Sequence, residues 1–340
     1  MAFTGTAGEY FGIWLVNIVL TLLTLGIYSA WATVRTKRYF YGSSWLDGHS
    51  LDYLAPPVAI LKGRLVAFAL LFLLSLVNGW VPESEYVTTP LLLALLPWVI
   101  LRSLRFRARV TEWRNVRFHW RGGYWPIAGL FFLAPLLGLL SFGLLWSLVS
   151  RMQQRYLAAN LDFGTARFLP SLTLGPYYRA LFLTLGLLLL VYLVLALVLV
   201  LPLFLLVGAT EGLGRPHLVQ LVSILIPVFL VIGFFVGRAF WAGLVRKILL
   251  NGLLLQGGHR FSSDLGAGRW FGIVLTNFLA ILLTAGLAYP WARVRAWRVQ
   301  AVAIEVLPGG PLDAFVDDQR RRGDVYSSEF AEMEGFDIGL

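Results

Sequence analysis

The sequence contains no cysteine, and only 14% of its 340 residues are charged. The lack of cysteine excludes disulfides, thiol catalysis and cysteine-based metal sites. Soluble globular chains carry about 25% charged residues, so the shortage of charge argues against an ordinary soluble domain. With 58% hydrophobic residues, 15% aromatic residues and a mean hydropathy of +0.75, the composition predicts an integral membrane protein.

The sequence also lacks the features of a cleaved signal peptide. Its first ten residues, MAFTGTAGEY, contain no basic residue and include Glu9, and no small-residue cleavage site follows the first apolar run. We therefore expect this apolar segment to be retained in the mature protein.

Basic residues are concentrated before residue 307. From Leu307 onward there are eight acidic residues and three arginines, a net charge of −5, so residues 1–306 carry +15 and the whole chain +10. We predict a membrane domain over 1–306 and an acidic cytoplasmic tail over 307–340. Basic loops of membrane proteins usually face the cytoplasm and anionic lipid. Nucleic acid is not an expected partner, because the chain has no soluble basic domain.

Seven apolar segments contain no charged residue and no histidine. A membrane-spanning helix needs about 20 apolar residues. If all seven crossed, the basic loops after the third and fourth would lie on opposite sides, against the positive-inside rule. The conflict disappears if segments one, four and seven enter and leave on the cytoplasmic face while the other four cross. The segments are 11–31, 65–81, 90–101, 127–149, 180–207, 218–236 and 271–290.

The three segments that the charge pattern sets apart share a Thr or Ser two residues before a Gly. Glycine permits a sharp bend, and a hydroxyl can satisfy a freed backbone group, so the pattern favours re-entrant or interfacial helical hairpins. The alternative is a plain span with an interior glycine, which is common in membrane helices. The hinge residues are Thr24 and Gly26, Ser141 and Gly143, and Thr284 and Gly286.

Two of these segments belong to an internal repeat. Residues 8–38 overlie residues 268–298 without a gap, and 15 of the 31 positions are identical. The identities include Asn17 with Asn277, which apolar composition alone would not produce, and a weaker copy lies at about 125–155. The two asparagines could face each other across a pseudo-symmetric centre. Hydrogen bonding between helices is the alternative.

Five segment ends have a Trp followed by a cation four or five residues later. Tryptophan prefers the membrane–water boundary, and a cation one helical turn further on can reach lipid phosphate. Simple anchoring of the helix ends is the alternative. The predicted interface anchors are Trp31, Trp98, Trp146, Trp241 and Trp291. The candidate lipid-phosphate contacts are Arg35, Arg38, Arg102, Arg105, Arg151, Arg155, Arg295 and Arg298.

Short polar stretches follow the basic segment ends. Residues 110–120, VTEWRNVRFHW, are rich in residues that suit a strand, and similar pieces occur at 50–53, 165–168 and 259–262. We therefore predict an all-α multi-pass membrane protein, built from repeats of Gly-broken apolar helices, with short cytoplasmic β-strands.

Several of these stretches together resemble the YjgN-like family of bacterial inner-membrane proteins, which is defined by a domain of unknown function. They are GEYFGIWLVNIVLTLLTLGIYSAWATVRTKRYF, WRNVRFHW, LLTAGLAYPWARVR and the closing FDIGL. The resemblance spans most of the chain and implies a multi-pass protein of the inner membrane. It assigns no catalytic or ligand-binding residue. One departure is Ala30, where the second copy has Pro290.

The sequence predicts no enzyme, no metal site and no cofactor, because the four histidines are scattered without metal-ligand spacing. The apolar segments contain no carboxylate or cation, which argues against an ion-coupled carrier. We predict an integral inner-membrane protein that handles lipid or an uncharged small solute in a transport-like manner. The alternative is a non-transporting scaffold. In both cases the expected partners are membrane lipids, above all anionic ones.

Overall fold

The computed structural model describes residues 1–197, 201–202, 205 and 214–322. The chain is built from five consecutive units, and in each unit a strand, a helical pair and a second strand follow one another. This order places all strands at one end of the helical pairs.

The units have the following bounds. Unit 1 contains β1 (Ala2–Phe3), α1 (Ala7–Leu23), α2 (Ser29–Gly42) and β2 (Ser44–Leu46). Unit 2 contains β3 (His49–Tyr53), α3 (Pro57–Trp80), α4 (Glu85–Arg109) and β4 (Thr111–Trp113). Unit 3 contains β5 (Val116–Trp120), α5 (Tyr124–Ala128), a π-helical turn (Gly129–Leu133), α6 (Ala134–Leu140), α7 (Trp146–Ala159) and β6 (Leu161–Phe163). Unit 4 contains β7 (Ala166–Pro170), α8 (Gly175–Leu195), α9 (Gly214–Asn251) and β8 (Leu253–Leu255). Unit 5 contains β9 (His259–Ser263), α10 (Ala267–Leu283), α11 (Tyr289–Val302) and β10 (Ile304–Leu307).

The ten strands form one antiparallel sheet in sequence order. The two ends of the sheet lie next to each other without strand pairing, because the amino group of Met1, just before β1, donates to the carbonyl of Ile304 in β10 at 2.6 Å. We call the ten strands, joined end to end by this contact, the strand ring. The helices follow the same circle, since the first helix of each unit packs against the second helix of the unit before it, and α1 packs against α11.

Units 2 and 4 differ from the other three in helix length. Within the described residues, four helical stretches are long and apolar enough to cross a membrane, and all four belong to these two units. They lie at Pro57–Trp80, Pro82–Arg109, Gly175–Val194 and Ser223–Asn251. These are the segments for which the charge pattern predicts crossing, whereas the apolar helices of units 1, 3 and 5 are shorter.

The chain turns back in units 1, 3 and 5 at the three glycines named from the sequence. Gly26, Gly143 and Gly286 have φ values of 92°, 86° and 94°, a left-handed conformation that favours glycine. In unit 1 the Gly26 N–H donates to the Thr21 carbonyl at 2.8 Å, which is the hydrogen bond of a Schellman helix end. The Thr24 hydroxyl accepts from the Tyr28 N–H at 2.9 Å. The other two turns repeat both bonds, and each unit is therefore a short helical hairpin.

A further helix, α12, covers residues 312–322 and packs against the inner face of the strand ring. Val316 is fully buried among strand residues, and the Phe315 ring lies 4.4 Å from the ring of His259. Burial lowers the pKa of His259, which favours the neutral imidazole. Of the predicted tail over 307–340, the part from 312 to 322 is thus packed into the fold, while 323–340 lie outside the described residues.

The sheet is larger than the sequence predicts. The strand stretches at 50–53, 110–120, 165–168 and 259–262 all contain strands, but the structure joins them with five others into the strand ring. The fold is therefore mostly helical and not all-α. The short strands of two to five residues carry little sequence signal, and hydrogen bonding between distant segments stabilises them.

Candidate functional site

One cation in each unit holds the linker that leads from the strand ring into a first helix. We call these five residues the linker cations. Each donates to the carbonyl of the second residue after a strand, and all five acceptor residues are buried. The pairs are Arg38 with Ala55 (3.5 Å), Arg105 with Gly122 (3.1 Å), Arg151 with Leu172 (2.7 Å), Lys247 with Leu265 (2.8 Å) and Arg298 with Gly5 (2.7 Å). Four of the eight predicted phosphate contacts are therefore linker cations.

The other four predicted phosphate contacts lie apart from one another. The guanidinium groups of Arg102 and Arg295 lie 5.7 and 5.1 Å from the ring centres of Trp98 and Trp291. These pairs have the i, i+4 spacing expected at a helix end. Arg35 and Arg155 are exposed on α2 and α7. The eight arginines thus do not form one common site.

The predicted anchors are all partly or largely exposed. Trp98 is 50% exposed, Trp291 42% and Trp146 36%, whereas Trp31 and Trp241 are half-buried. Each lies on a second helix of its unit, on the way to the strand ring. The five tryptophans thus occupy equivalent places in the five units but do not lie next to one another. Their position at the membrane–water boundary stays a prediction.

A groove does bring several polar groups together, between α1, α2 and α11. It has a volume of about 470 Å³ and lies where the first hairpin meets the last. We call it the interhairpin groove. Its polar lining includes Tyr10, Asn17, Thr36, Lys37, Tyr289 and Arg293, and its apolar lining includes Trp14, Ile18 and Leu22.

The end of the groove nearest the strand ring is cationic. Arg293 donates to the hydroxyls of Tyr10 (2.8 Å) and Tyr289 (3.2 Å), and Lys37 donates to the hydroxyl of Tyr53 at 3.1 Å. Among the described residues, neither cation forms an ion pair with a carboxylate. Burial, with a smaller contribution from Arg107, lowers the pKa of Lys37. An anion bound beside Lys37 would stabilise its charged form.

The opposite end of the groove is apolar and leads to the hairpin tip. Along α1 the lining changes from Tyr10 through Asn17 to Leu22, which is 71% exposed. At the tip Leu25 is 94% exposed, and its counterpart Phe142 in unit 3 is 99% exposed. Exposed side chains of this size are expected where a surface meets lipid or a partner.

The repeat-related asparagines do not face each other, and they have different partners. Asn277 donates to the Ala292 carbonyl at 2.9 Å, and its Oδ1 accepts from Arg295 at 3.1 Å. Asn17 donates to the equivalent Ala32 carbonyl at 3.4 Å and to Thr36 at 3.3 Å. Its Oδ1 has no partner although it is buried. Only the first copy therefore offers a free acceptor, and Asn17 lines the groove.

Sequence reasoning missed Tyr10, Thr36, Lys37, Tyr289 and Arg293 because it relied on positions where the two copies agree. Each of these five differs from its counterpart 260 residues away. Arg293, for example, corresponds to Thr33. The available signal was the set of positions at which the two copies differ. Residues that are identical in both copies maintain the shared hairpin fold, whereas residues that differ can serve a function of one copy alone.

In the described part of the chain, four helices in two units are long and apolar enough to cross a membrane, and they alternate with three short hairpins that have apolar tips. This is the architecture of a membrane protein. Residues 1–333 match the family described as bacterial protein of unknown function (DUF898), and the chain belongs to this family.

Named relatives agree with this assignment. The inner membrane protein YjgN of Salmonella typhimurium is 27% identical over 92% of this chain and 89% of its own length. The YjgN protein of Escherichia coli K12 is 32% identical over 44% of this chain and 38% of its own. No solved structure matches the chain. The resemblance to YjgN-like proteins is thus confirmed, and the chain is an inner-membrane protein.

Proposed function

We propose that this protein binds an anionic phospholipid in the interhairpin groove, which the lipid enters from one leaflet of the inner membrane, and handles it in a transport-like manner. The observation that carries the proposal is the groove itself. Two cations without carboxylate partners among the described residues, Lys37 and Arg293, lie at one end, and an exposed apolar wall leads away from them. A lipid with a phosphate head and acyl chains has the matching distribution of charge and apolar surface.

The proposed orientation places the strand ring in the cytoplasm and the apolar hairpin tips in the adjacent leaflet. The basic residues near the ring support this orientation, because cytoplasmic segments are enriched in Lys and Arg. A hairpin arm such as α1 has 17 residues and is about 25 Å long. The hydrocarbon core is about 30 Å thick, so short tilted hairpins suit insertion from one side.

A non-transporting scaffold that binds anionic lipid is the second candidate. The linker cations favour it, because they fix all five units to the strand ring and leave the short hairpins little freedom relative to it. A fluorescence assay of lipid movement between leaflets of vesicles separates the two candidates. Lipid movement that depends on Arg293 supports handling, and lipid binding without movement supports the scaffold.

Lipid binding can be measured by native mass spectrometry on the purified full-length protein with phosphatidylglycerol. We expect Lys37→Met and Arg293→Met each to weaken binding about tenfold, because a charge-assisted contact contributes roughly 1.5 kcal/mol or more. Arg155→Met removes the same charge from an exposed position outside the groove and is the matched control. Equal loss in all three variants would refute a specific site.

The orientation can be tested by labelling single cysteines, since the chain has none. His49, Arg117 and Arg260 are exposed positions on three different hairpins of the strand ring, and Tyr86, which is 86% exposed, lies in the first turn of α4. We expect cytoplasmic access to the first three and periplasmic access to Tyr86. Access to the ring positions from opposite faces would exclude this orientation.

A further inference from the structure

The interhairpin groove contains a buried acceptor that narrows the chemistry of its ligand. Asn17 is only 7% exposed, and its Oδ1 has no hydrogen-bond partner. An unpaired buried acceptor destabilises a folded chain, and a ligand that donates a hydrogen bond to it removes that cost. The unpaired oxygen therefore points to a ligand with a hydrogen-bond donor.

The second copy of the repeat supports the orientation of this amide. Asn17 and Asn277 direct their Nδ2 atoms at equivalent carbonyls, those of Ala32 and Ala292, so the amide has the same orientation in both copies. In the second copy Arg295 donates to Asn277 Oδ1 (3.1 Å) and to the Thr276 hydroxyl (2.6 Å). In the first copy Val16 replaces this threonine and offers no acceptor.

The amide of Asn17 is also held more loosely than its counterpart. Its two hydrogen bonds are 3.3 and 3.4 Å long, against 2.9 and 3.1 Å for Asn277. Oδ1 is covered from solvent, so binding of a donor requires this loosely held amide to rotate toward the groove that Asn17 lines.

We propose that the groove selects a phospholipid whose headgroup combines a phosphate with an uncharged hydroxyl donor, as a glycerol headgroup does. This inference rests on the proposed function. The phosphate lies against Arg293 and Lys37, and the headgroup hydroxyl donates to Asn17 Oδ1. An ammonium headgroup also has donors, but the same two cations repel it.

The exposed apolar wall argues for a lipid over a soluble phosphate ester of the same headgroup. Ile18 and Leu22 continue the groove from Asn17 towards the hairpin tip, and both are exposed. A soluble glycerol phosphate would leave this surface uncovered, whereas an acyl chain covers it.

The test compares two lipids of equal charge and equal chains, dioleoyl phosphatidylglycerol and dioleoyl phosphatidylmethanol, which lacks the headgroup hydroxyls. Native mass spectrometry on the full-length protein gives both affinities. We expect the wild type to bind phosphatidylglycerol about fivefold more tightly, as one buried neutral hydrogen bond predicts. Asn17→Leu should bring this ratio close to one. Asn17→Ala serves if the leucine variant does not fold, and Arg155→Met should keep the wild-type ratio.

The outcomes separate this inference from the proposed function. If the wild type binds both lipids equally while Arg293→Met weakens both, the headgroup inference is wrong and the anionic-lipid groove stands. If Arg293→Met binds both lipids like the wild type, the proposed function fails. An unchanged preference in both Asn17 variants overturns the role of Asn17. Displacement of the lipid by an equal concentration of sn-glycerol 3-phosphate would show that the ligand is the soluble ester.

Discussion

The first and last hairpins share a backbone and differ in what surrounds one amide. Both turn at a glycine in the left-handed region, and both hold an asparagine against the same carbonyl of the second helix. In the last hairpin an arginine of the same unit, Arg295, satisfies the asparagine oxygen. In the first hairpin the oxygen has no partner, and a cation of the neighbouring unit, Arg293, lines the adjoining groove.

This difference separates the residues that maintain the hairpin from those that can bind a ligand. The glycine, the turn hydroxyl and the linker cation occur in both copies and stabilise the fold. The free acceptor belongs to the first copy, and the groove beside it is lined by Lys37 of the first copy and Arg293 of the second. Duplication thus provides an internal control, because each substitution in one hairpin has a counterpart in the other.

The largest loss of stability is expected for substitutions at the linker cations, which both copies share. Arg298→Met removes the charged donor of a 2.7 Å hydrogen bond to a buried carbonyl and should lower the free energy of unfolding by about 2 kcal/mol. Arg38→Met removes a longer bond of 3.5 Å, so its loss should be about 1 kcal/mol. Chemical unfolding in detergent micelles measures both, and a larger loss for Arg38→Met would contradict this ranking.

The next effect should differ between the copies. Asn277→Leu leaves the Ala292 carbonyl and Arg295 without a partner, and we expect a loss of about 2 kcal/mol in unfolding free energy. Asn17→Leu breaks longer hydrogen bonds and removes an unpaired acceptor, so its loss should stay below about 1 kcal/mol. The same unfolding assay compares them. A larger loss for Asn17→Leu would contradict the different roles of the two residues.

A smaller effect, on lipid binding, is expected when the surroundings of Asn17 in the first copy are made to match those of Asn277 in the second. Val16→Thr introduces the hydroxyl that lies beside Asn277 in the last hairpin, so that Arg35 can adopt the position of Arg295. We expect phosphatidylglycerol to bind about threefold more weakly, because Arg35 then competes for Asn17 Oδ1. Val16→Ala is the control, and equal weakening in both would point to a packing effect.

The smallest effect concerns the acidic end of the chain. Residues 323–340 contain five acidic residues and no cation. If they compete with lipid for Lys37 and Arg293, deleting them should strengthen binding to vesicles containing phosphatidylglycerol about twofold. This deletion spares α12 and its packing in the strand ring. A full-length variant with these five acidic residues changed to Asn or Gln should bind the vesicles as strongly as the deletion variant does. Unchanged vesicle binding in both variants would exclude the competition.

The hairpins could be predicted from the sequence because their signal is local. A hydroxyl, one intervening residue and a glycine recur three times, and the charge of the flanking loops singles out the same segments. The ring could not be predicted, because β1 has two residues and closure joins Met1 to Ile304. The groove was missed for a different reason, since Arg293 comes from the last unit and contacts the first.

The closure of the strand ring gives the architecture no fixed starting point. Four of the five connections between units are tight turns between adjacent strands, and the fifth is the place where Met1 and Ile304 meet. The order of units along the chain is therefore one of five cyclic orders that the same set of contacts would support. A chain opened at the turn of residues 256–258 and joined through a linker from residue 322, at the end of α12, to Met1 keeps the packing of α12 and should form the same circle. Circular permutation is therefore a practical way to assign the contribution of each unit.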